Sequence, residues 1–404
     1  MFLRNVFCLL SLGIPLGSIA GNLYATHSGG FVYTISINRD VDSDVYSLSA
    51  LPGLTTCGSF PSWLTFDPTL RVLYCSDKSG NATTSAAVYS LAITENGSPT
   101  QLAKTTTPGG GVHSTVYNGV DGNQFLAIAH YAGSAISTFR LPLEENEDPL
   151  QVFRYTMPNP GPNPLRQDTP HPHQIILDPT GSFVLVPDLG ADLVRVLSID
   201  KRSGKLNTCP SLNFPPGSGP RHGLFWAPSL PTERKAKRGR LQPLNFILYM
   251  LSELSGKLSA FSVSYRNDCL FFQHIQSLIP YPGGSLPKNA SLSEIRMSGS
   301  SLYVSIRSDH SFPPDDSIVT LARSPNGTVN VQQLSSSYGV VPSTFVINQS
   351  GDLVAIGNQL SSNVAVVRRD SRTGELGGEL ANVQVGEPGR VGTPGGLSSI
   401  VWVD

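Results

Sequence analysis

The chain has 404 residues, of which 39% are hydrophobic and only 14% charged, with 39 glycines and 32 prolines. That composition disfavours long salt-bridged helices and favours many short strands joined by turns. A net charge of −1 and a pI of about 6.7 give no reason to expect a polyanionic partner such as nucleic acid.

Residues 1–20 stand apart. Arg4 precedes an apolar run from Val6 to Ile14, and Ser18-Ile19-Ala20 follows as a cleavage site. The segment reads as a signal peptide, with Gly21 the first mature residue and a secreted product that leaves no membrane anchor. The run is short for a span of ~20 residues, and Pro15 breaks it. Five N-x-[ST] sequons, at Asn81, Asn96, Asn289, Asn326 and Asn348, agree with secretion. Loss of the signal removes Cys8 and leaves Cys57, Cys75, Cys209 and Cys269, which allow three connectivities. The expected pairs are Cys57–Cys75 and Cys209–Cys269, with four free thiols as the alternative. No C-x-x-C or H-E-x-x-H suggests a metal.

From Trp63 onward one unit recurs. "WLTFDPTLRVLYCSDKSG" begins at Trp63, "STVYNGVDGNQFLAIAHYAG" at Ser114 and "HQIILDPTGSFVLVPDLGAD" at His173. "HGLFWAP" begins at His222 and resumes as "FILYMLSELSG" after an insert; "SEIRMSGSSLYVSIRSDHS" begins at Ser293 and "STFVINQSGDLVAIGNQLSSN" at Ser343. The starts lie 51, 59, 49, 71 and 50 residues apart. In the His173 unit two strand-like runs, Gln174–Leu177 and Ser182–Pro187, flank the turn "DPTG", and an amphipathic strand, Leu193–Ile199, follows. A period near 50 of this kind is the signature of radially stacked blades. Six units are complete. A seventh assembles from Asn22–Ile37 and Leu397–Val403, which would close the ring and remove exposed edges. The expected fold is all-β, a seven-bladed propeller over residues 21–404 closed by N- and C-terminal strands in one blade. The basic insert 231–243, "PTERKAKRGRLQP", reads as a solvated loop.

Aligning the repeats places His113, His173 and His222 in one slot, ahead of the first strand of three successive blades. On the return strand one slot holds Asp77, Asp188, Ser252, Ile306 and Asn358, and the next holds Lys78, Leu189, Glu253, Arg307 and Gln359. A slip of one residue exchanges the two sets between faces. His171 and Arg221 add polar groups beside the histidines. Residues from different blades can therefore converge at one mouth of the channel, where His or Glu supplies acid/base chemistry and Arg grips an anion. Neither G-x-S-x-G nor a P-loop occurs. Asp77, Asp188 and Asn358 are the oxygen donors to consider if calcium sat on the axis.

Three blocks, "HPHQIILDPTGSFVLVPDLGADLVRV", "GPRHGLFWAP" and "SEIRMSGSSLYVSIRSDHS", resemble the seven-bladed propeller lactonase family. That family includes the bacterial propeller-type 6-phosphogluconolactonase and the fungal 3-carboxy-cis,cis-muconate lactonizing enzyme, and the resemblance spans about 22–403. It implies a functional cluster of His173, Arg221, Glu253 and Arg307, with Arg296 a further anion-binding candidate; His222, His113 and Asp188, from the aligned repeat slots, are the other substrate-binding candidates. Ile306 departs from the family, in which Asn usually precedes that Arg. The implied enzyme opens or closes a small acidic lactone; a monomer working without metal or other cofactor is the expectation beside it. His173 or Glu253 would act as acid/base, with Arg221 and Arg307 at the oxyanion and the acidic substituent. The alternative is a non-catalytic secreted propeller binding a glycan or a protein.

Overall fold

The computed structural model describes residues 18–227, 246–266 and 268–403. Most of the expected signal peptide (residues 1–17) and the whole basic insert 231–243 lie outside the described residues; the first strand begins at Ser18. Seven antiparallel sheets follow one another around a ring. Six have four strands each, starting with Pro61–Asp67, Gly111–Asn118, Ile176–Leu177, Pro220–Trp226, Ser291–Ser298 and Pro342–Ile347. We number these blades 2 to 7. Blade 1 joins the termini: Leu397–Val403 pairs with Ser18–His27, which pairs with Phe31–Asp40 and then Val45–Ala50. Among the described residues the one helical element is the 3-10 turn Pro282–Gly284, and no helix is long and apolar enough to cross a membrane.

Period-2 alternation explains how a blade buries both faces. In Phe246–Ser252 of blade 5, Leu248 and Met250 pack with Leu185, Val194 and Val196 of blade 4. The alternate residues Ile247, Tyr249 and Leu251 pack with Leu292, Ile295, Leu302 and Val304 of blade 6. Each strand thus serves two interfaces, and the core is distributed between blades. Turns fix the register. In blade 4 the Asp178 carboxylate accepts from the backbone N–H groups of Thr180, Ser182 and Phe183 at 3.0, 2.7 and 2.7 Å, while Gly181 takes φ +65. The inner strand of this blade is regular only over Ile176–Leu177; upstream it meets the return strand again at a Pro172–Asp188 bridge, where His173 N–H donates to the Pro187 carbonyl at 2.9 Å.

A second repeated device links the blades. The buried hydroxyls of Tyr24, Tyr117, Tyr249 and Tyr303 donate to the carbonyls of Gly97, Gly204, Gly327 and Gly374 at 2.6, 2.6, 2.8 and 2.6 Å. Each of these glycines sits in the outer hairpin turn of the next blade. Both expected disulfides form, with Cα separations of 5.9 Å for Cys57–Cys75 and 5.8 Å for Cys209–Cys269. The second ties the outer strand of blade 4 to that of blade 5.

Candidate active site

The innermost strands all enter the channel at the same end, so residues at their beginnings share one rim. Ser62, Trp63, Val112, Arg221, His222, Ser343 and Ser398 line a cavity of about 270 Å³ there, with His173 just ahead of the strand of its blade. The return strands come back to the same rim with Lys78, Glu253, Arg307 and Gln359. Of the two return-strand slots, the second faces the cavity. The first turns away: Asp77 accepts from the backbone of Ser79 and Phe60, and Asn358 donates to the Ser337 carbonyl.

Asp188 is a correction on the same ground. It is fully buried outside the cavity, pairs with Arg195 at 2.6 Å and accepts from the backbone N–H of His171 and Ala191. Its carboxylate fastens the loop ahead of His173, so it is not placed to bind substrate. His113 and Arg296 also lie off this cavity. They line a second one of about 330 Å³, with Leu64, Thr65 and Ile400. Leu64, Thr65, Ser114, Val346 and Ile400 come two to three residues after the rim-lining positions of the same strands, which puts the second cavity ~7–10 Å further along the channel. Trp63 borders both cavities and stacks on His113 at 4.1 Å between ring centroids.

At the rim one carboxylate meets three guanidinium groups. Glu253 Oε1 lies 2.7 Å from Arg166 Nη2, and Oε2 lies 2.8 Å from Arg221 Nε and 3.0 Å from Arg307 Nη2. The two Oε2 contacts are charge pairs bent away from hydrogen-bond alignment, since neither Oε2 nor Arg221 Nε has an aligned partner among the described residues. Burial by itself would raise the Glu253 pKa, but the charges of Arg307, Arg221 and Arg166 outweigh it and hold the carboxyl at about 2. Burial, and then the charge of Arg307, lower Arg221 to about 10. Its Nη1 donates to the Ser293 carbonyl at 2.5 Å. Arg307 Nε is buried without an acceptor among the described residues.

Lys78 stands beside this cluster, its ammonium 5.5 Å from the centroid of Phe60. Burial, then Arg221, Arg307 and Arg166, bring its pKa down to about 8. The cavity lining therefore carries Lys78, Arg166, Arg221 and Arg307 against Glu253 alone. An outer vestibule continues past Arg166, Glu253 and Arg307 to Asn289, one of the sequon asparagines.

The histidines form the opposite wall. His173 Nδ1 and His222 Nε2 are 3.2 Å apart, and His222 Nδ1 is 3.1 Å from Glu294 Oε2. Burial first, and then the charges of Arg221, His222, Lys78 and Arg307, hold His173 well below its ordinary pKa, so it is neutral at neutral pH. His171 stacks on Tyr131 at 4.1 Å and contacts Asp168 at 2.8 Å, which places it in the support of the rim rather than its lining.

The structure thus gathers His173, His222, Arg221, Glu253 and Arg307 at one cavity and leaves Arg296, His113 and Asp188 out of its lining. Arg166, Lys78 and Glu294 were missed as site residues. Arg166 sits in the crossover 155–172, outside the recurring strand–turn–strand unit; the fully buried Gln167 pins it by donating to the Leu189 carbonyl at 3.0 Å. Lys78 and Glu253 share a repeat slot, a signal the sequence carried. Glu294, a lone charge between the buried Leu292 and Ile295, was legible as a polar break in an inner strand.

A "Probable 6-phosphogluconolactonase" of Arthroderma benhamiae is 28% identical over 372 residues, covering 91% of this chain and 88% of that protein. A 6-phosphogluconolactonase of Formosa agariphila is 28% identical over 260 residues, 63% of this chain and 66% of that protein. A solved periplasmic gluconolactonase of Pseudomonas aeruginosa superposes with a TM-score of 0.73 at 24% identity, covering 95% of this chain and 99% of that one, a likeness in fold. The family model described as "Lactonase, 7-bladed beta-propeller" matches residues 19–393, and the chain belongs to that lactonase family.

Proposed function

We propose that this lactonase-family enzyme opens or closes a small lactone bearing an acidic substituent, by acid/base chemistry that needs no metal. The observation that carries the reading is the gathering of Lys78, Arg166, Arg221 and Arg307 around one cavity that also exposes His173. In ring opening, His173 Nε2 takes a proton from water as the water oxygen bonds to the lactone carbonyl carbon. The resulting oxyanion faces Arg221 and Arg307. Collapse breaks the ring C–O bond, and the departing alkoxide recovers the proton from His173. In the closing reaction His173 first takes a proton from solvent at Nε2; a substrate carboxylate oxygen then bonds to one carbon of a C=C bond, the other carbon takes that proton, and His173 returns to neutral.

Glu253, held at about 2, is a weak base. Its role in this reading is to align the three guanidinium groups, leaving His173 as the base. An anionic substrate adds negative charge beside His173 and raises its pKa toward the working range. Extracellular function is proposed from the two disulfides and the five sequons.

The test is turnover of lactones carrying no acid, a carboxylate or a phosphate, followed by acid release or uptake. Acidic lactones should be consumed, and Arg221→Ala and Arg307→Ala should abolish the preference. Equal turnover of neutral and acidic lactones, unchanged in both variants, would remove the anion-binding reading.

A further inference from the structure

Behind His173 lie two buried groups, His222 and Glu294, that the anion-binding cluster does not use. Glu294 is fully buried, and its Oε1 accepts from the Ile295 N–H at 3.1 Å and faces Arg296 Nε at 3.8 Å. Its Oε2 meets only His222 Nδ1, at 3.1 Å and off-line, and neither atom has another partner among the described residues. Trp63 and His113 pack edge-on against the His222 ring at centroid distances of 6.2 and 5.8 Å.

From these contacts we infer that Glu294 and His222 are positioning residues that fix the tautomer of His173, holding a proton on its Nδ1 and leaving Nε2 bare toward the cavity. The inference rests on the reading of His173 as the base. A carboxylate at Oε2 requires the proton of His222 to be on Nδ1. The other nitrogen of a neutral imidazole is then an acceptor, so the 3.2 Å contact between the rings requires His173 to donate from Nδ1. His173 Nε2 has no partner among the described residues, and its ring lines the cavity. Although burial alone would raise the Glu294 pKa, Arg296 and His222 keep it at about 2, which maintains the carboxylate that the chain needs. Burial keeps His222 below its ordinary pKa, although Glu294 opposes this.

The groups facing His173 are Tyr131, Lys78, Arg221, Arg307 and His222. Of these, His222 is the one acceptor at its Nδ1. When Nε2 takes a proton from water, the new positive charge faces Glu294 through His222, a logic shared with a triad aspartate acting through histidine. If Glu294 lost its charge, His222 could place its proton on Nε2. His173 would then accept at Nδ1 and carry its own proton on Nε2, where it cannot act as a base.

The experiment is long-range ¹H–¹⁵N correlation on histidine-labelled protein at neutral pH, with the His173 signals assigned by their loss in His173→Gln. The wild type should show His173 protonated on Nδ1 and free on Nε2. Glu294→Gln should move the proton population toward Nε2 and lower kcat by on the order of 10³–10⁴, with KM changed by less than about threefold because the arginines remain. Glu294→Asp should restore part of both. A wild-type His173 protonated on Nε2 overturns the proposal, and that measurement needs no variant to fold. An unchanged kcat and an unchanged spectrum in folded Glu294→Gln overturn it equally. Full turnover by His173→Ala would overturn the reading of His173 as the base, and with it the catalytic half of the inference, while the spectra still decide the tautomer.

Discussion

Glu253 Oε2 approaches Arg221 Nε to 2.8 Å although each residue is more than nine-tenths buried, and the same oxygen holds Arg307 at 3.0 Å. Removing that carboxylate leaves buried guanidinium groups uncompensated. We expect Glu253→Gln to lose about 3–5 kcal/mol of stability along with activity. The pH dependence has a definite sign. The folded carboxyl titrates at about 2, below its ordinary value of 4.5. Its contribution is therefore full above about 4.5 and fades as the pH falls toward 2. Denaturant unfolding between pH 6 and pH 3 should show the wild type losing more stability than Glu253→Gln; parallel curves would refute the assignment.

Lys78 gives a prediction on the alkaline side. With a pKa of about 8, lowered by burial and by the neighbouring arginines, it is charged at pH 7 and becomes neutral above 8. If it helps to hold an anionic substituent, KM for acidic lactones should rise as pH passes 8, with little change in kcat. Lys78→Met should show a KM raised roughly tenfold or more at pH 7 and flat across that range. A variant that keeps the wild-type KM profile would show that Lys78 takes no part in binding.

How much of this was legible depended on repetition. Seven blades, their closure by Leu397–Val403, and the convergence of His173, Arg221, Glu253 and Arg307 all follow from positions that recur about every 50 residues. Arg166 escaped because it comes from a crossover, outside the strand–turn–strand unit that recurs, and only the fold brings that loop over the mouth. Arg296 and Asp188 failed for a different reason. Each is a charged residue in a site-rich block, but a propeller strand distributes its side chains among the rim, the lower channel and the blade interior over only a few residues. Asp188 falls in the blade interior and Arg296 in the lower channel. Charge alone could not separate these three destinations; the register of pairing does.

The tyrosine latches carry a stability prediction independent of the site. Tyr249 is fully buried and donates to the Gly327 carbonyl of the next blade. Tyr249→Phe keeps the ring and removes the donor, leaving a buried acceptor unpaired, at an expected cost of about 1–3 kcal/mol. Tyr117→Phe breaks the equivalent contact between blades 3 and 4, so the two effects should add in the double variant. Chemical denaturation of the three variants measures both points. Single variants as stable as the wild type would mean that the latch contributes nothing, and a double variant no less stable than either single one would refute additivity.

The disulfide Cys209–Cys269 should matter to stability and not to turnover. It closes a loop with a sequence separation of 60 on the outer edge of blades 4 and 5, at the opposite edge of both sheets from the inner strands, one of which carries Arg221 and the other of which follows His173. Constraining a loop of that length in the unfolded chain corresponds to about 4 kcal/mol in the chain-entropy treatment. Cys209→Ser with Cys269→Ser should therefore lower the denaturation midpoint by an amount consistent with about 2–4 kcal/mol. Under native conditions kcat and KM should stay within about twofold of wild type, because the strands between the bridge and the rim keep their ladder hydrogen bonds. A large loss of kcat with little loss of stability would reverse this assignment and place the outer edge of blades 4 and 5 in control of the rim.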